Sequence, residues 1–181
     1  MSEERYAELV VCAAPLARRA PEVAAEIRGA GWQVTVVTST NALAWVDVPA
    51  LARASGQEVV VRSRRPDEPR RRPRPAVVLA VPATFNTLNK LRQGISDTPA
   101  LAVLNDAVGM RLPLLVVPTV ADQLVAHPAW PETLRFLAVV GASVLHPPSH
   151  PVEQPGDATG VDDGADAFDP QLVAGWLSGL R

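Results

Sequence analysis

The sequence predicts a single α/β domain with three layers, in which helices cover both faces of a parallel sheet. Segments rich in β-branched and apolar residues alternate with segments of helical periodicity, at a spacing of roughly 30 residues. The central apolar run, 76–81, is short, bounded by prolines and apolar throughout, as expected for a strand buried on both faces. The length of 181 residues fits one domain. This pattern is typical of Rossmann-like or flavodoxin-like folds.

The first third of the chain contains predicted strands separated by helices. The strands cover 8–14, 33–38 and 58–61. The first helix begins near Pro21 and Glu22, because proline and acidic residues are favoured in a first turn, and it ends at Gly29 and Gly31. After the second strand, the capping residues Ser39, Thr40 and Asn41 precede a short helix at 42–46. A further helical stretch is predicted at 48–54.

The remaining strands and helices follow a proline-rich interruption. The strands cover 76–81, 112–117 and 143–146. The spacing of Leu88, Leu91 and Ile95 predicts a helix directly after the central strand. Further helices are predicted at 98–109, 131–141 and 171–180. In the last of them, an apolar stripe is formed by Leu172, Val173, Trp176 and Leu180.

These elements give a simple domain organisation. We assign 1–148 to the α/β domain, 149–168 to a flexible loop or flap rich in Pro, Gly and Asp, and 169–181 to a C-terminal helix that packs on the same domain. The domain is interrupted at 63–75 by arginine and proline. Arginine binds phosphate in a bidentate way, but prolines and like charges oppose packing, so a solvated surface loop is favoured over a phosphate-binding arm.

Composition and charge exclude several classes of function. A formal net charge of -2 offers no basic footprint for nucleic acid, and an aromatic content of 4% argues against a base-stacking platform. No apolar run approaches the roughly 18 residues of a membrane helix. The start of the chain lacks the pattern of a signal peptide. The single cysteine, Cys12, cannot form an internal disulfide. We therefore expect a cytoplasmic protein that binds neither nucleic acid nor membranes.

The best candidate site is the loop after the central strand, 82–87. Its residues are small, hydroxyl-bearing or amide-bearing, and a helical pattern follows at once. In open α/β sheets, ligands bind at the carboxyl ends of the strands, in loops that lead into helices. The amide hydrogens of the helix start and the hydroxyls of Thr84 and Thr87 suit a phosphate or other acceptor oxygens. The alternative is a strand-to-helix turn in which the same residues serve only as caps.

This loop carries a recognisable motif. It reads Pro82-Ala83-Thr84-Phe85-Asn86-Thr87, followed by Lys90 and by Gly94-Ile95-Ser96-Asp97. The motif resembles the Pro-Ala-Ser-Ala-Asn-Thr…Gly-Ile-Ala-Asp signature of the flavoprotein family of homo-oligomeric flavin-containing cysteine decarboxylases, which includes the phosphopantothenoylcysteine decarboxylases. The resemblance covers about 8–148, where weaker matches flank the central motif.

The resemblance implies an FMN site and an oligomer. The residues that it assigns to the cofactor are Ser39, Ala83, Thr84, Asn86 and Thr87. It also places Asn86 against the flavin ring or a substrate carboxylate, and it implies a homotrimer or a multiple of trimers.

The chain departs from the family pattern at several positions. Ala13 and Ala14 stand where the family has Gly-Ser, whose serine binds phosphate, and Arg18 or Arg19 is a candidate replacement for that contact. No histidine lies between Trp45 and the central motif, and the segment after the next strand lacks the Asn and Trp of a Pro-x-Met-Asn-x-x-Met-Trp motif. The C-terminal flap has no cysteine. These departures argue against cysteine decarboxylation by the mechanism of the family.

Few residues remain as candidates for chemistry. Asn86 is one, by resemblance, and His127 is the other, because it follows the fifth predicted strand and could act as an acid or a base. A lone loop histidine is more often structural, and Cys12 is expected to be buried and inert. His146 and His150 are separated by two prolines and cannot share a helix face, so no metal site is predicted.

Two hypotheses about function follow. The first is an FMN-binding flavoprotein which, if it is an enzyme, is a decarboxylase-like lyase or an oxidoreductase acting on a small molecule or a peptide. The alternative is a non-catalytic homologue that is cofactor-free or supports the assembly of a true decarboxylase. A nucleotide-binding α/β domain without flavin is a third, less favoured reading.

Overall fold

The computed structural model describes residues 4–63, 65, 67–68, 73–146 and 165–180. Its centre is a five-stranded parallel sheet. The strands are β1 (Tyr6–Val11), β2 (Gln33–Thr38), β3 (Val77–Ala83), β4 (Leu114–Pro118) and β5 (Ser143–Val144). Their order across the sheet is β2-β1-β3-β4-β5, which is the order of flavodoxin-like folds. The predicted α/β class and parallel sheet are confirmed.

Helices connect the strands and cover both faces of the sheet. They are α1 (Ala20–Gly29), α2 (Val48–Ser55), α3 (Phe85–Arg92), α4 (Pro99–Gly109), α5 (Asp122–Val125), α6 (Ala129–Val139) and α7 (Gln171–Ser178). Two short 3-10 turns, Pro15–Arg19 and Thr40–Ala44, follow β1 and β2. Side-chain caps start three of the helices: Asp47 caps α2, Thr84 caps α3 and Thr98 caps α4.

The two faces of the sheet carry separate hydrophobic cores. Along β1, Leu9 and Val11 belong to one core and Val10 belongs to the other, as the two-residue period of a strand requires. The first core contains the buried faces of α1, α2 and α7, and the second contains those of α3, α4 and α6. This explains why the strands are apolar on consecutive residues rather than on alternate ones.

Arg19 attaches the C-terminal segment to the start of α1 through backbone carbonyls. Arg19 Nη1 donates to the carbonyl oxygens of Ala165 (3.3 Å), Asp166 (3.0 Å) and Phe168 (2.6 Å). Its Nε donates to the Glu22 carboxylate at 3.1 Å. The Phe168 side chain is buried in the first core, and α7 then packs against α1.

Several predicted elements differ from those observed. The strand expected at 58–61 is reduced to one bridge between Val37 and Val60, in which Val60 N donates to Val36 O at 2.8 Å. Its flanking residues, Glu58 and Arg62, are exposed, so the segment lacks the two-sided burial that would extend it. The helix expected at 42–46 is the 3-10 turn Thr40–Ala44.

Two helix predictions were also wrong in detail. Gly94, with φ of 70°, ends α3, so Ile95 lies in the following loop rather than on the helix. In α7, Leu172 is 48% exposed, and the buried residues are Val173 and Leu177, four apart on one face. Of the flap expected at 149–168, the residues up to 164 lie outside the described residues, as does His150; part of the 63–75 loop does as well.

Candidate functional site

A cavity of about 370 Å³ opens at the carboxyl edge of the sheet. The chain leaves β1 towards β2 on one side, whereas it leaves β3 towards β4 on the other, so the loops after β1 and β3 diverge. Such a switch point creates a crevice, and it is where open α/β sheets bind ligands. The lining residues come from the loops after β1, β2 and β3, from α3 and from the start of α4: Ala13, Ser39, Asn41, Thr84, Asn86, Thr87, Lys90, Thr98, Ala100 and Leu101.

The fold brings most of the predicted cofactor residues together. Ser39, Thr84, Asn86 and Thr87 all line the cavity, although Ser39 comes from a different loop. Ala83 does not line it. That residue is fully buried at the end of β3, and its carbonyl oxygen accepts a hydrogen bond from Thr119 N at 2.9 Å.

The first turn of α3 has a fixed geometry. Thr84 is in an extended conformation, and its Oγ1 accepts a hydrogen bond from Thr87 N at 3.3 Å, which is the arrangement of an N-cap. The Oγ1 atoms of Thr84 and Thr87 lie 3.0 Å apart. Asn86 is exposed and its side chain makes no hydrogen bond with the described residues, so its amide is open to the cavity. The turn therefore serves both as a helix cap and as a polar wall.

Lys90 adds a positive charge to the cavity. Its ammonium Nζ lies 2.5 Å from Asp97 Oδ2, and it is on the same face of α3 as Asn86 and Thr87, which come four and three residues earlier. Next to this pair, Thr98 Oγ1 accepts from Leu101 N at 3.2 Å and caps α4. The first turns of α3 and α4 therefore both face the cavity, and the partial positive charge of a helix start favours an anion there.

Half of the lining was not assigned a role from the sequence. Asn41, Thr98, Ala100 and Leu101 were missed, and Lys90 was recognised only as part of the motif. A signal existed for Lys90, because its spacing places it on the face of Asn86. The start of α4 gave none, since only the tertiary fold brings it beside the loop after β2.

Cys12 lies behind the threonines of the cavity. It follows β1, is 1% exposed, and its backbone N donates to Pro82 O at 3.1 Å. Burial raises the pKa of the Cys12 thiol, and hydrogen bonds with the Thr87 hydroxyl and the Thr84 backbone partly oppose that rise. The thiol is therefore neutral near pH 7. The expected burial of Cys12 is confirmed, and its inertness stays a prediction.

His127 is exposed and is not part of the lining. Its Nδ1 accepts a hydrogen bond from Ala129 N at 3.1 Å at the start of α6. Its ring stands edge-on to Phe85 with the centroids 5.5 Å apart, and Phe85 in turn lies 6.2 Å from the Trp130 ring. These contacts give His127 a structural role beside the site. A catalytic role stays a hypothesis.

The two arginines considered for the missing phosphate contact lie elsewhere. Arg19 is engaged by Glu22 and by the carbonyls of the C-terminal segment, and Arg18 pairs with Asp166 at 3.1 Å. Neither lines the cavity. From the loop after β1, the cavity receives only Ala13.

The described part of the chain holds neither a membrane-spanning helix nor a cluster of metal ligands. Within those ranges, no helix combines the length and the apolar character that crossing a membrane requires. His, Cys, Asp and Glu side chains there do not form a group of three that could hold a metal ion.

A family model described as Flavoprotein matches residues 2–169. The chain belongs to the Flavoprotein family. This membership confirms the resemblance seen in the motif of α3. Among curated relatives, this flavoprotein is 32% identical over 71 residues to the coenzyme A biosynthesis bifunctional protein CoaBC of Thermococcus kodakarensis. The match covers 39% of the chain and only 17% of that relative, which is therefore a much longer protein.

Solved structures share the fold of this flavoprotein. A variant of PPC decarboxylase complexed with pantothenoylaminoethenethiol superposes with a TM-score of 0.75 at 16% identity, covering 98% of both chains. The FMN binding protein AtHal3 gives a TM-score of 0.75 at 16% identity, covering 98% of this chain and 97% of the other. The epidermin biosynthesis protein EpiD from Staphylococcus aureus gives 0.65 at 19% identity, with 78% and 82% covered. At these identities the likeness establishes the fold.

Proposed function

We propose that this flavoprotein binds FMN in the cavity at the carboxyl edge of its sheet. The observation that carries the proposal is the meeting of Ser39, Thr84, Asn86 and Thr87 around one cavity at the switch point, since the family resemblance assigns these same residues to the cofactor. Membership of the Flavoprotein family supports it. The cavity volume of about 370 Å³ lies within the range of small-molecule sites.

The chemistry of the lining fits this cofactor. Hydroxyls of Ser39 and Thr98, the amides of Asn41 and Asn86 and the Lys90 ammonium offer hydrogen bonds to a phosphate, a ribityl chain and ring heteroatoms. Small or apolar residues, of which Ala13 and Ala100 are examples, allow the close approach of a flat ring. Polar and apolar groups are therefore both present, as a flavin nucleotide requires.

The chain's own residues would act mainly by holding and orienting ligands. FMN, when bound, supplies electron-transfer and hydride-transfer chemistry at its ring. Lys90 and the starts of α3 and α4 favour negative charge in the cavity. The exposed Asn86 amide can donate to a ring oxygen or to a substrate carboxylate and accept from an N–H group. These contacts bind and orient the ligand, and they require no proton transfer by the protein.

The test is the visible absorbance of the purified protein, repeated after adding FMN and removing the unbound cofactor. Retained flavin absorbance at about one FMN per chain is expected. Thr84→Trp, which fills the cavity from the wall, should abolish retention, whereas Trp45→Phe, outside the lining, should not. An absence of retained FMN under these conditions would refute the proposal.

A second candidate function is a non-catalytic homologue that binds a related decarboxylase. It is favoured by one observation: among the described lining residues there is neither a histidine nor a cysteine, so the proton-transfer and thiol groups common in active sites are missing from the wall. Mixing the protein with a catalytic homologue tests this reading. A mixed assembly with altered decarboxylase activity would support it, and two separate species would refute it.

We also propose that the protein is a cytoplasmic homo-oligomer, a trimer or a multiple of trimers. Its support is the family resemblance together with exposed apolar side chains near the carboxyl edge: Leu43, Trp45, Leu124 and Val125. The lone buried Cys12 suits a reducing compartment. Light scattering after size-exclusion chromatography gives the mass directly. A monomer at all concentrations would refute the oligomer, and Trp45→Glu should dissociate an oligomer whose interface includes Trp45.

A further inference from the structure

A buried hydroxyl and a half-buried amide connect α6 to the first turn of α3. Thr133, on α6, is fully buried, and its Oγ1–H donates to Asn89 Oδ1 at 2.9 Å. The Asn89 side chain then donates from Nδ2 to Phe85 O, also at 2.9 Å. Phe85 stands between Thr84 and Asn86, both of which line the cavity. Two consecutive hydrogen bonds therefore run from the interior of α6 to the wall of the site.

The polar character of Thr133 and Asn89 favours a fixed orientation over simple packing. An apolar pair of the same size would pack between the helices with no desolvation penalty, whereas a hydroxyl and an amide must find each other there. Once paired, both side chains are held in one rotamer, and Asn89 can no longer rotate away from Phe85 O. The start of α3 is thus fixed from outside as well as by its own cap.

We propose that Thr133 and Asn89 are positioning residues that hold the first turn of α3, and with it Asn86, in the orientation that binds the cofactor. Neither residue lines the cavity, so neither would touch the ligand. The proposal rests on the proposed function for the identity of the ligand. Its structural part, the fixing of the turn, holds for the empty protein as well.

The same two helices offer a matched control. Arg92 Nη1 donates to Glu132 Oε2 at 2.7 Å, three residues beyond Asn89 on α3 and one residue before Thr133 on α6. This ion pair joins α3 to α6 at the far end of α3 and makes no contact with the first turn. Glu132→Ala therefore weakens the contact between the helices but leaves the two hydrogen bonds of Thr133 and Asn89 in place.

The decisive experiment compares Thr133→Val, Thr133→Ser and Glu132→Ala in two readouts. The first is the Kd for FMN, and the second is the hydrogen exchange of the Thr87 and Leu88 amides in the FMN-free protein. Valine preserves the shape but leaves Asn89 Oδ1 without a donor. Loss of about one hydrogen bond should raise the Kd and the amide exchange rates about five-fold each. Serine should restore both, and Glu132→Ala should leave both near wild type.

Each other outcome has a defined meaning. Unchanged exchange in Thr133→Val, no recovery with serine, or an equal effect of Glu132→Ala would overturn the positioning role. If the wild-type protein binds no FMN, the proposed function fails. The exchange rates alone then decide whether Thr133 and Asn89 hold the first turn of α3. If Thr133→Val does not fold, Asn89→Ala replaces it, because alanine is favoured within a helix and Asn89 is only half-buried.

Discussion

Lys90 Nζ lies 2.5 Å from Asp97 Oδ2, and this ion pair joins α3 to the loop before α4. The side chains are 30% and 49% exposed, so the pair contributes less than about 1 kcal/mol to stability. Its importance lies in its position. Lys90 lines the cavity, whereas Asp97 does not, so the carboxylate competes with any anion in the cavity for the same ammonium group.

This competition gives opposite predictions for the two partners. Lys90→Met removes the positive charge and should weaken FMN binding about ten-fold or more, the size of a hydrogen bond to a charged group. Asp97→Asn removes the competing carboxylate and should leave binding as tight as in the wild type or tighter. Titration of each FMN-free variant with FMN, followed by flavin fluorescence, measures the two Kd values.

A purely structural ion pair would behave differently. In that case the two variants would weaken FMN binding to the same extent, because either one breaks the link between α3 and the following loop. Raising the salt concentration provides a second check, since it should weaken binding in the wild type more than in Lys90→Met.

Asn86→Asp should separate stability from binding. A carboxylate in the first turn of α3 interacts favourably with the helix start, which stabilises the fold by about 0.3–1 kcal/mol. The same negative charge faces the cavity and should repel an anionic cofactor. Urea denaturation and FMN titration measure the two effects, and we expect a higher midpoint together with a Kd raised about ten-fold.

Asn86→Ala is the matched control, since it removes the amide without adding charge. It should weaken binding less than the aspartate does. If aspartate and alanine have equal effects on the Kd, the negative charge does not repel the cofactor, and the expected electrostatic effect at residue 86 is wrong.

The part of the site that could be read from the sequence is the part that is local. Thr84 and Thr87 were predicted because a strand end, a cap and a helix start follow one another along the chain, and the fold preserves that order. Thr98 and Leu101 were missed because they reach the cavity only through the packing of α4 beside α3. Lys90 stands between these cases: its helical spacing predicts its face but not what that face meets.

The errors in the predicted strands and helices have a related cause. β-branched residues at 58–61 favour a strand, but strand formation depends on burial and on a partner, and only Val60 finds one. Leu172 fits an apolar stripe by composition, but the side of α7 that packs on α1 is set by the anchor at Phe168 and Arg19. Local propensity determines the type of element, and packing determines its length and the face it buries.

Cys12 should make stability fall at alkaline pH. Burial raises the pKa of its thiol in the folded protein above the usual value of 9.0. The unfolded chain therefore loses this proton near pH 9, whereas the folded chain keeps it to higher pH. Stability from this group is fully present below pH 9.0 and is lost as the pH rises towards the folded pKa, by at most about 1.4 kcal/mol per pH unit.

Urea denaturation of the wild type and of Cys12→Ala at pH 8 and pH 10 would measure this effect. Alanine lacks the thiol, so its stability should fall less between the two pH values, although it starts lower because a small cavity is left. Other groups that titrate in this range are common to both proteins and cancel in the comparison. Parallel losses in the two proteins would contradict a contribution from Cys12.

Arg19 should hold the C-terminal segment in place. Arg19→Met keeps much of the length of the side chain but leaves the carbonyl groups of Ala165 and Phe168, both buried residues, without their cationic donor. Hydrogen bonds from charged groups to buried acceptors are costly to lose, so we expect a loss of about 2–3 kcal/mol. Relative to the wild type, amide hydrogen exchange in Arg19→Met should speed up more in α7 than in the sheet, because α7 is released first.

Asp166→Asn is the control. It tests whether a surface ion pair, rather than the hydrogen bonds from Arg19 to carbonyl groups, holds the segment. It removes the carboxylate that pairs with Arg18, whose side chain is 41% exposed against 75% for Asp166, but it keeps the Asp166 carbonyl that Arg19 binds. An exposed pair of this kind is worth less than about 1 kcal/mol, so stability and the exchange of α7 should hardly change. If Asp166→Asn releases α7 as fully as Arg19→Met does, charge attraction rather than the capture of backbone carbonyls holds the segment. The difference between the two variants therefore measures how much the hydrogen bonds from Arg19 to backbone carbonyls add to the packing of α7 in the first core.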